Sequence, residues 1–413
     1  MTVAKICLIG IASQNITISN YYVMGVFQSS STVALGIMTC KFANITINNL
    51  IFAPEVYIIG NQSSYIFSFV NQSQIYVYQV SVVQNIQQQQ SQYLQQLTQI
   101  QSSDSVFFQY GGLCAQATNT MLTFINILYD IQNSITTQFI HDSGVIIGQT
   151  FSNFSQIYLQ SVCAQYKVQS SATTRQYGVI GSVEGNITIQ QFSINLNVQV
   201  SLLYRFGIVG YIFQNIEKNY STLENIIITS YSTQNPSTLR SSYDVAPLIG
   251  RNDQNIVLNF VQVINGSILG CWQISGLIGY VESGLYRQIN SCLVYNTTIV
   301  GQQNCGGLIG YTYKIQNVSI QNCNVSNSTI GSTANIYGGG LIGNALQSNV
   351  IIVNIKIQSV SILGQSSYTL LLGINNGSSF LLTNSSSEGN NFINNKLIQN
   401  CIILSNPSSQ NGC

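Results

Sequence analysis

Residues 305–331 read CGGLIGYTYKIQNVSIQNCNVSNSTIG, and residues 337–364 read YGGGLIGNALQSNVIIVNIKIQSVSILG. Each stretch begins with glycines around Leu-Ile, continues through runs in which apolar and polar residues alternate, and ends in a turn of small residues. A chain that contains the same pattern twice in succession is a repeat protein, and the length of the repeat indicates its kind.

Steps of aliphatic residues followed by glycine recur along more than half of the chain. Successive steps are about thirty residues apart, with one longer step, and their glycines are Gly148, Gly181, Gly210, Gly250, Gly279, Gly310, Gly343 and Gly373. Weaker versions precede them, with YIIG ending at Gly60 and YGGLCAQ beginning at Tyr110. A period of about thirty residues is shorter than a propeller blade, and the helical periodicity of α-solenoids is missing outside one glutamine-rich segment.

Apolar and polar residues alternate within each repeat, as in the run from Val318 to Val325. Such alternation is typical of a strand with one buried face, and the intervening Asn, Ser and Gly residues mark turns. A unit of about three short strands buries its apolar face only by stacking on similar units at about 4.8 Å. The sequence therefore predicts an all-β fold, a parallel β-helix (solenoid) of about eleven coils. We expect the repeated glycines to turn its corners, because a residue without Cβ adopts the required backbone angles.

The sequence divides this solenoid into four segments. Residues 1–83 are predicted to form irregular N-terminal coils, 84–103 a glutamine-rich insertion, 104–394 the regular β-helix, and 395–413 a C-terminal tail or cap. In the insertion, Tyr93, Leu97 and Ile100 recur at helical spacing, which is compatible with one short helix. The apolar run at 6–12 fits a minimal signal peptide and a first strand equally well.

The GLIG steps, with their surroundings GGLIGYT and SGLIGYV, resemble the GLUG motif, a short glycine-bounded repeat of bacterial and protist surface proteins and of some large secreted peptidases. The resemblance is strongest over 276–343 and weaker over the rest of 144–373. It implies a β-helical protein in a secreted or cell-surface setting, and it implies no activity. The zinc motif H-E-x-x-H that accompanies the repeats in the peptidases does not occur in this chain.

Few residues carry a charge. Lys, Arg, Asp and Glu make up 6% of the chain, and the net charge is +1. Nucleic acids and anionic membrane surfaces are therefore not expected as partners. No apolar stretch approaches the roughly 18 residues that a transmembrane helix needs. Because the chain has one histidine and no C-x-x-C pair among its ten cysteines, the sequence predicts neither a metal site nor a cofactor.

Cys292 and Cys323 lie one repeat apart at matching positions, and Ile355 takes the same place in the next repeat. An aliphatic residue at the aligned position indicates that the cysteines point into the core as small apolar side chains. A disulfide between adjacent coils would also fit, because strands about 4.8 Å apart lie within the Cα range of such bonds. We expect either two stacked thiols or a disulfide.

Three Asn-x-Ser/Thr sequences align with one another. Asn265, Asn296 and Asn327 follow each other at equal intervals of one repeat, so the sequence predicts that they share one corner of three consecutive coils. Two interpretations of this corner stay open. It could carry N-linked glycans, or it could form a ladder of asparagine side chains that are hydrogen-bonded from coil to coil.

One interval between the repeated glycines, from Gly210 to Gly250, is longer than the others. Its insertion and the residues directly after it contain Arg240, Asp244, Arg251 and Asp253. On a nearly uncharged exterior this group is the best candidate for a specific contact, either an ion pair within the loop or a ligand site.

Tyr280 and Tyr311 are one repeat apart and are expected to offer a shallow aromatic surface to sugar rings. The acidic residues are scattered, whereas enzymes that cleave polysaccharides need two or three acids in one groove. The sequence therefore predicts a non-catalytic structural or adhesive protein, secreted or at the cell surface, that serves as a stalk, coat or fibre subunit. Its expected partners are copies of itself, other surface proteins or glycans. The alternatives are a glycan-binding module and a polysaccharide lyase or hydrolase.

Overall fold

The structure, a computed structural model, is a stack of parallel β-strands. It describes residues 5–403 except for positions 7–8, 13–14, 24–25, 29–33, 36–37, 42–43, 53–56, 60–63, 65, 85–112, 137–142, 152–154, 214–219, 235–242, 285, 332–336, 365–366, 389, 394–395 and 400–401. The glutamine-rich insertion lies outside the described residues from position 85 onward, and so does Arg240.

The strands in chain order are β1 Lys5–Ile6, β2 Ile9–Ala12, β3 Ile16–Val23, β4 Val26–Gln28, β5 Ala34–Leu35, β6 Met38–Lys41, β7 Asn44–Phe52, β8 Tyr57–Ile59, β9 Phe67–Asn71, β10 Gln74–Gln84, β11 Cys114–Thr118, β12 Met121–Thr136, β13 Ser143–Phe151, β14 Gln156–Val183, β15 Asn186–Phe206, β16 Val209–Ile212, β17 Ser221–Gln234, β18 Asp244–Val245, β19 Ile249–Asn252, β20 Ile256–Ile264 and β21 Ser267–Leu269. They continue as β22 Gln273–Ser275, β23 Ile278–Gly284, β24 Arg287–Asn290, β25 Leu293–Tyr295, β26 Thr298–Val300, β27 Asn304–Gly306, β28 Ile309–Ile315, β29 Val318–Gln321, β30 Asn324–Ser326, β31 Thr329–Gly331, β32 Tyr337–Gly339, β33 Ile342–Leu346, β34 Asn349–Val353, β35 Lys356–Gln358, β36 Ser361–Leu363, β37 Ser367–Thr369, β38 Leu372–Asn376, β39 Ser379–Thr383, β40 Ser385–Glu388, β41 Asn390–Ile393, β42 Lys396–Gln399 and β43 Ile402–Ile403.

Residues at equivalent positions of successive coils pair in register. Leu258 pairs with Ile289, Ile289 with Ile320, and Ile320 with Ile352, always in parallel. This pairing confirms the predicted all-β, parallel β-helix. The regular part has about eight turns, and further turns continue the parallel pairing upstream as far as β3, against a predicted total of about eleven coils.

Columns of inward-facing aliphatic residues make up the core. In β20 every second residue is buried on either side of a bend at Phe260, and Leu258, Val261 and Val263 are fully buried. Each fully buried aliphatic side chain contributes roughly 1.5–3 kcal/mol relative to its exposed state. A coil has no opposing layer of its own, so it gains this energy only when the next coil covers it.

At the bend of each coil, one residue takes a left-handed backbone conformation. From coil to coil these residues are Asn20, Asn49, Gln79, Asn126, Ser161, Gln191, Asn225, Phe260, Ser291, Asn322, Asn354 and Asn384, with φ between 49° and 57°. We call them the bend column. Asparagine is the commonest residue in the column because its short polar side chain tolerates a positive φ.

The repeated glycines have another role, and the prediction that they turn corners through their backbone angles is wrong. Among the described glycines only Gly185, Gly331 and Gly377 have a positive φ. Gly310 lies instead where two strand segments, 304–306 and 309–311, fold back on each other around a bend at 307–308. A Cβ on Gly310 would lie 2.5 Å from a backbone oxygen of the neighbouring coil, so the position requires glycine for close packing.

The same pair of segments recurs in the neighbouring coils, for example as β22 with the start of β23 and as β32 with the start of β33. We call each pair an arch.

Near the C-terminal end of the described residues, β41 and β42 pair antiparallel, as do β40 and β43, so the described part of the C-terminal tail folds back on the last coil. No helix in the described ranges is long and apolar enough to cross a membrane.

Candidate functional site

A column of outward-facing residues runs beside the arches along one side of the rod. Tyr211 pairs in register with Arg251, Arg251 with Tyr280, and Tyr280 with Tyr311. Charged side chains from the same and adjacent strands surround this column. We call the whole cluster the arch ladder, which comprises Arg205, Tyr211, Asp244, Arg251, Asp253, Tyr280, Glu282 and Tyr311.

Two of the three ion pairs in the arch ladder join one coil to the next. Arg205 Nε lies 3.4 Å from Asp244 Oδ2, and these two residues are register partners on adjacent coils. Arg251 Nε binds Asp253 Oδ1 at 3.0 Å, while its Nη2 reaches Glu282 on the following coil. A fourth ion pair, Lys356–Glu388, is exposed and lies elsewhere. Three ion pairs are therefore gathered in this one cluster.

Aromatic rings continue the ladder between the charges. The Arg205 guanidinium carbon lies 4.0 Å from the centre of the Tyr211 ring, and that of Arg251 lies 4.8 Å from the centre of Tyr280. The rings of Tyr280 and Tyr311 stack with 5.2 Å between centroids and 7° between planes. Arg251 and Tyr311 therefore cover Tyr280 from both neighbouring coils. A sugar stacks on the face of a ring, so the aromatic surface expected from the sequence is not open at Tyr280.

The acids of the ladder differ in their surroundings. Asp253 accepts a hydrogen bond from the Tyr211 hydroxyl, with 2.5 Å between the oxygens, in addition to its bond from Arg251. Asp244 is 5% exposed. Burial raises the pKa of Asp244 to about 7, and the nearby Arg205 and Arg251 lower it without cancelling that effect. Burial likewise raises the pKa of the Tyr211 hydroxyl, assisted by the negative charge of Asp253.

The structure brings together five of the six residues that the sequence grouped as possible ligand contacts: Asp244, Arg251, Asp253, Tyr280 and Tyr311. The sixth, Arg240, lies outside the described residues. Sequence reasoning missed Arg205, Tyr211 and Glu282. A signal existed for two of them, because Tyr211 follows Gly210 by one residue and Glu282 follows Gly279 by three, as Arg251 and Asp253 follow Gly250.

Arg287 is a further buried charge next to the ladder. It stands at an inward position whose register partners are Ile256 and Val318, and it is 1% exposed. Its Nη1 donates to the carbonyl oxygen of Tyr286 at 3.1 Å. Burial lowers the pKa of Arg287 to about 10, although the carboxylate of Asp253 acts in the opposite direction.

Cys292 and Cys323 lie in the core as free thiols on adjacent coils. Both are buried, and the backbone N–H of Cys292 donates to the sulfur of Cys323 at 3.4 Å. Ile355, at the aligned position of the next coil, is buried as well. The two cysteines therefore pack in the core as small apolar side chains. These stacked thiols are the first of the two arrangements expected from the sequence.

Asn265, Asn296 and Asn327 all have left-handed backbones and exposed side chains. The backbone N–H of Asn265 donates to Tyr295, and that of Asn296 donates to Ser326, so the three asparagines occupy one corner of successive coils. Asn296 Nδ2 donates to Asn265 Oδ1 at 2.7 Å, which is the hydrogen bond of an asparagine ladder. Whether the corner also carries glycans stays a prediction.

Within the described residues, no group of three or more His, Cys, Asp or Glu side chains is placed to hold a metal ion. Comparison of the chain with protein-family models, with curated proteins and with solved structures finds no significant match. The case for a function therefore depends on the geometry of the rod and of its arch ladder.

Proposed function

We propose that this chain is a non-catalytic rod outside the cell, secreted or at its surface, where it serves as a stalk, coat or fibre subunit. A stack of parallel coils about 4.8 Å apart is stiff, because the backbone groups of each coil bind the coils on both sides. The observation that carries the proposal is the direction of the bonds in the arch ladder.

Charged groups of the arch ladder bind one another along the rod. Arg251 contacts Asp253 and Glu282, and Arg205 contacts Asp244. A catalytic acid or base directs its proton-transferring atom towards a substrate, whereas these groups are directed from coil to coil. Buried polar groups fix register in some proteins. The ladder therefore supports a structural role better than a chemical one.

One observation favours the alternative of a polysaccharide lyase or hydrolase. The pKa of Asp244, raised by burial to about 7, suits a general acid or base. Asp244 is nevertheless buried and paired with Arg205, so a substrate would have to displace that arginine before it could reach the carboxyl group. Because of this cost, an enzymatic role is the second candidate function.

Two measurements test the proposal. The purified full chain is incubated with a panel of neutral and acidic polysaccharides while new reducing ends and unsaturated products are recorded. We expect no products beyond those of the Asp244→Asn/Asp253→Asn double variant. Turnover that the wild-type chain shows and the double variant lacks would overturn the non-catalytic role.

The second measurement concerns location. Intact cells that produce the chain are treated with a membrane-impermeant amine reagent and compared with lysed cells. We expect lysines of the chain to be labelled before lysis. Labelling that occurs only after lysis would place the rod inside the cell and contradict the surface role.

A further inference from the structure

A row of outward positions runs along one face of the rod, two residues after the bend column. In consecutive coils it comprises Tyr22, Ile51, Ser81, Leu128, Cys163, Ser193, Ile227 and Gln262, each paired in register with the next. We call these eight positions, with Phe260 beside Gln262, the apolar row.

Exposed apolar side chains are concentrated on this row. Tyr22 is 55% exposed, Ile51 40%, Leu128 42%, Ile227 43% and Phe260 52%, and together they are more than half of the large apolar side chains exposed in the described part of the chain. Cys163 on the same row is an exposed free thiol. Large apolar side chains gathered on one exposed face indicate an interaction site.

The apolar character of the row ends at the eighth coil. The same column continues as Leu293, Asn324, Lys356 and Ser386, and none of these is a large exposed apolar side chain. Lys356 is instead paired with Glu388 at 2.7 Å. The exposed apolar surface therefore belongs to a defined stretch of the rod and is not a general property of the column.

The order of side chains in the middle of the row is the same in both directions. The six central positions read isoleucine, serine, apolar, apolar, serine, isoleucine, while the two ends differ, with Tyr22 at one and Gln262, next to Phe260, at the other. The centre of the row falls between Leu128 and Cys163. A dimer with two-fold symmetry needs a surface that is complementary to itself, because the same patch meets in both copies.

We propose that the apolar row is a docking surface for a second copy of this chain, packed side by side and antiparallel. A two-fold axis between Leu128 and Cys163 sets Ile51 against Ile227 of the second copy and Ser81 against Ser193. Tyr22 then lies beside Phe260 of the second copy. In a parallel pair the coils of the two copies would also match in spacing, but each residue would face the same residue of the second copy.

The size of the surface suits a stable dimer. Eight coils at about 4.8 Å span about 34 Å, and the row with one outward position on each side is about 20 Å wide, which gives roughly 700 Å² per copy. Specific interfaces bury about 800 Å² per partner. Within these coils the row and the bend column carry no charged residue.

A charge swap tests both the surface and the orientation. Ile51→Lys and Ile227→Glu, made singly, are each expected to raise the dissociation constant of the dimer roughly 100-fold, because each sets an unpaired charge against an isoleucine. The double variant Ile51→Lys/Ile227→Glu is expected to regain the dimer, because only the antiparallel pair brings the new lysine against the new glutamate. Sedimentation velocity over a concentration series measures all four proteins.

Leu381→Lys is the matched control, because Leu381 is 52% exposed but lies outside the row. It should dimerise like the wild-type chain, and circular dichroism should show that every variant keeps its strands. A short bis-maleimide should also link two copies through Cys163, close to the two-fold axis, and Cys163→Ser should abolish that link.

Three outcomes would overturn the proposal. A wild-type chain that stays monomeric at all concentrations has no such dimer, and single variants that dimerise normally would place the interface elsewhere. Single variants that dissociate without rescue in the double variant would exclude the antiparallel arrangement. The dimer goes beyond the rod role, since a rod could perform that role as a monomer.

Discussion

Asp244 lies in an environment that opposes its negative charge. It is 5% exposed, and burial raises its pKa from the ordinary value of 3.8 to about 7. The native state therefore binds a proton on this carboxyl group more tightly than the unfolded state does. The resulting stabilisation is fully present below the ordinary pKa and is lost as the pH rises through about 7.

We predict that the free energy of unfolding increases when the pH is lowered from about 8 to about 5, with a contribution from Asp244 on the order of 2 kcal/mol. The direction is opposite to ordinary acid destabilisation, in which carboxylates with lowered pKa values lose their partners. Denaturant unfolding at a series of pH values measures the slope.

The Asp244→Asn variant should lose this slope, because a neutral amide resembles the protonated carboxyl group. Glu388→Gln is the matched control. Lys356 holds the pKa of Glu388 below its usual value, so that group titrates below the pH window and its replacement should leave the slope unchanged. A slope that persists in Asp244→Asn would assign the effect to another group.

The alternation of apolar and polar residues predicted which side chains point inward, but it did not predict which residue types occupy those positions. Cys292 and Cys323 were predicted to point inward from their alignment with Ile355, and they do. Arg287 also points inward, where pattern reasoning expects an aliphatic residue. Periodicity gives the face of a strand, whereas the partners of a buried head group, such as the carbonyl oxygen of Tyr286, come from backbone that only the fold brings near.

Arches are the elements that distinguish this solenoid from a simple stack of strands. At Gly310, an added Cβ would lie 2.5 Å from the carbonyl oxygen of Gly279 and 2.8 Å from the backbone nitrogen of Ile274. Both atoms belong to the backbone of the preceding coil, so neither yields by a side-chain rotation. The arm that contains Gly310 is thus packed directly on the backbone of the preceding arch, with no room for a methyl group.

We predict that Gly310→Ala lowers the free energy of unfolding by about 3 kcal/mol, because relief of the overlap requires the coils to separate locally. Gly266→Ala is the matched control. Its new Cβ would meet the side chain of Thr297 at 3.0 Å, and a side chain moves more easily than the backbone. Urea unfolding of both variants measures the difference, and equal losses would contradict backbone packing as the reason for glycine.

The repeat length and the strands of each coil could be predicted from spacing alone, because stacked coils force equivalent residues into equivalent environments. The role of the glycines could not be predicted in this way. A sequence does not show whether a glycine is needed for its backbone angles or because a neighbouring backbone packs against it. The left-handed residues of the bend column are instead Asn, Ser, Gln and Phe260, and none of them was singled out from the sequence.

The Asn-x-Ser/Thr sequences differ in their exposure along the rod. Asn265, Asn296 and Asn327 are exposed at one corner, whereas the side-chain oxygens of Asn317 and Asn324 are buried. An attached oligosaccharide requires an exposed amide nitrogen, so the half-buried Asn317 and Asn324 are expected to be poorer acceptors than the corner asparagines.

We predict that, in a chain passed through a glycosylating secretory route, Asn265 and Asn327 carry glycans while Asn296 stays bare. Neighbouring coils are only about 4.8 Å apart, and three branched sugars cannot fit at that spacing. Asn296 also uses its Nδ2, the atom that would carry the sugar, to donate to Asn265 at 2.7 Å. Mass spectrometry of glycopeptides from the secreted chain measures the occupancy of each site.

Asn324 serves as the internal control, since it lies in the same coils and has the same sequence signal but is half-buried rather than exposed. Asn265→Gln should leave Asn296 bare if the flanking glycan at Asn327 is enough to exclude a second one, and the double change Asn265→Gln/Asn327→Gln should open Asn296 to modification. Full occupancy of all three sites in the unaltered chain would mean that coils separate before or during modification. A secreted chain without any glycan would leave the asparagine ladder as the sole role of this corner and weaken the case for a glycosylated surface protein.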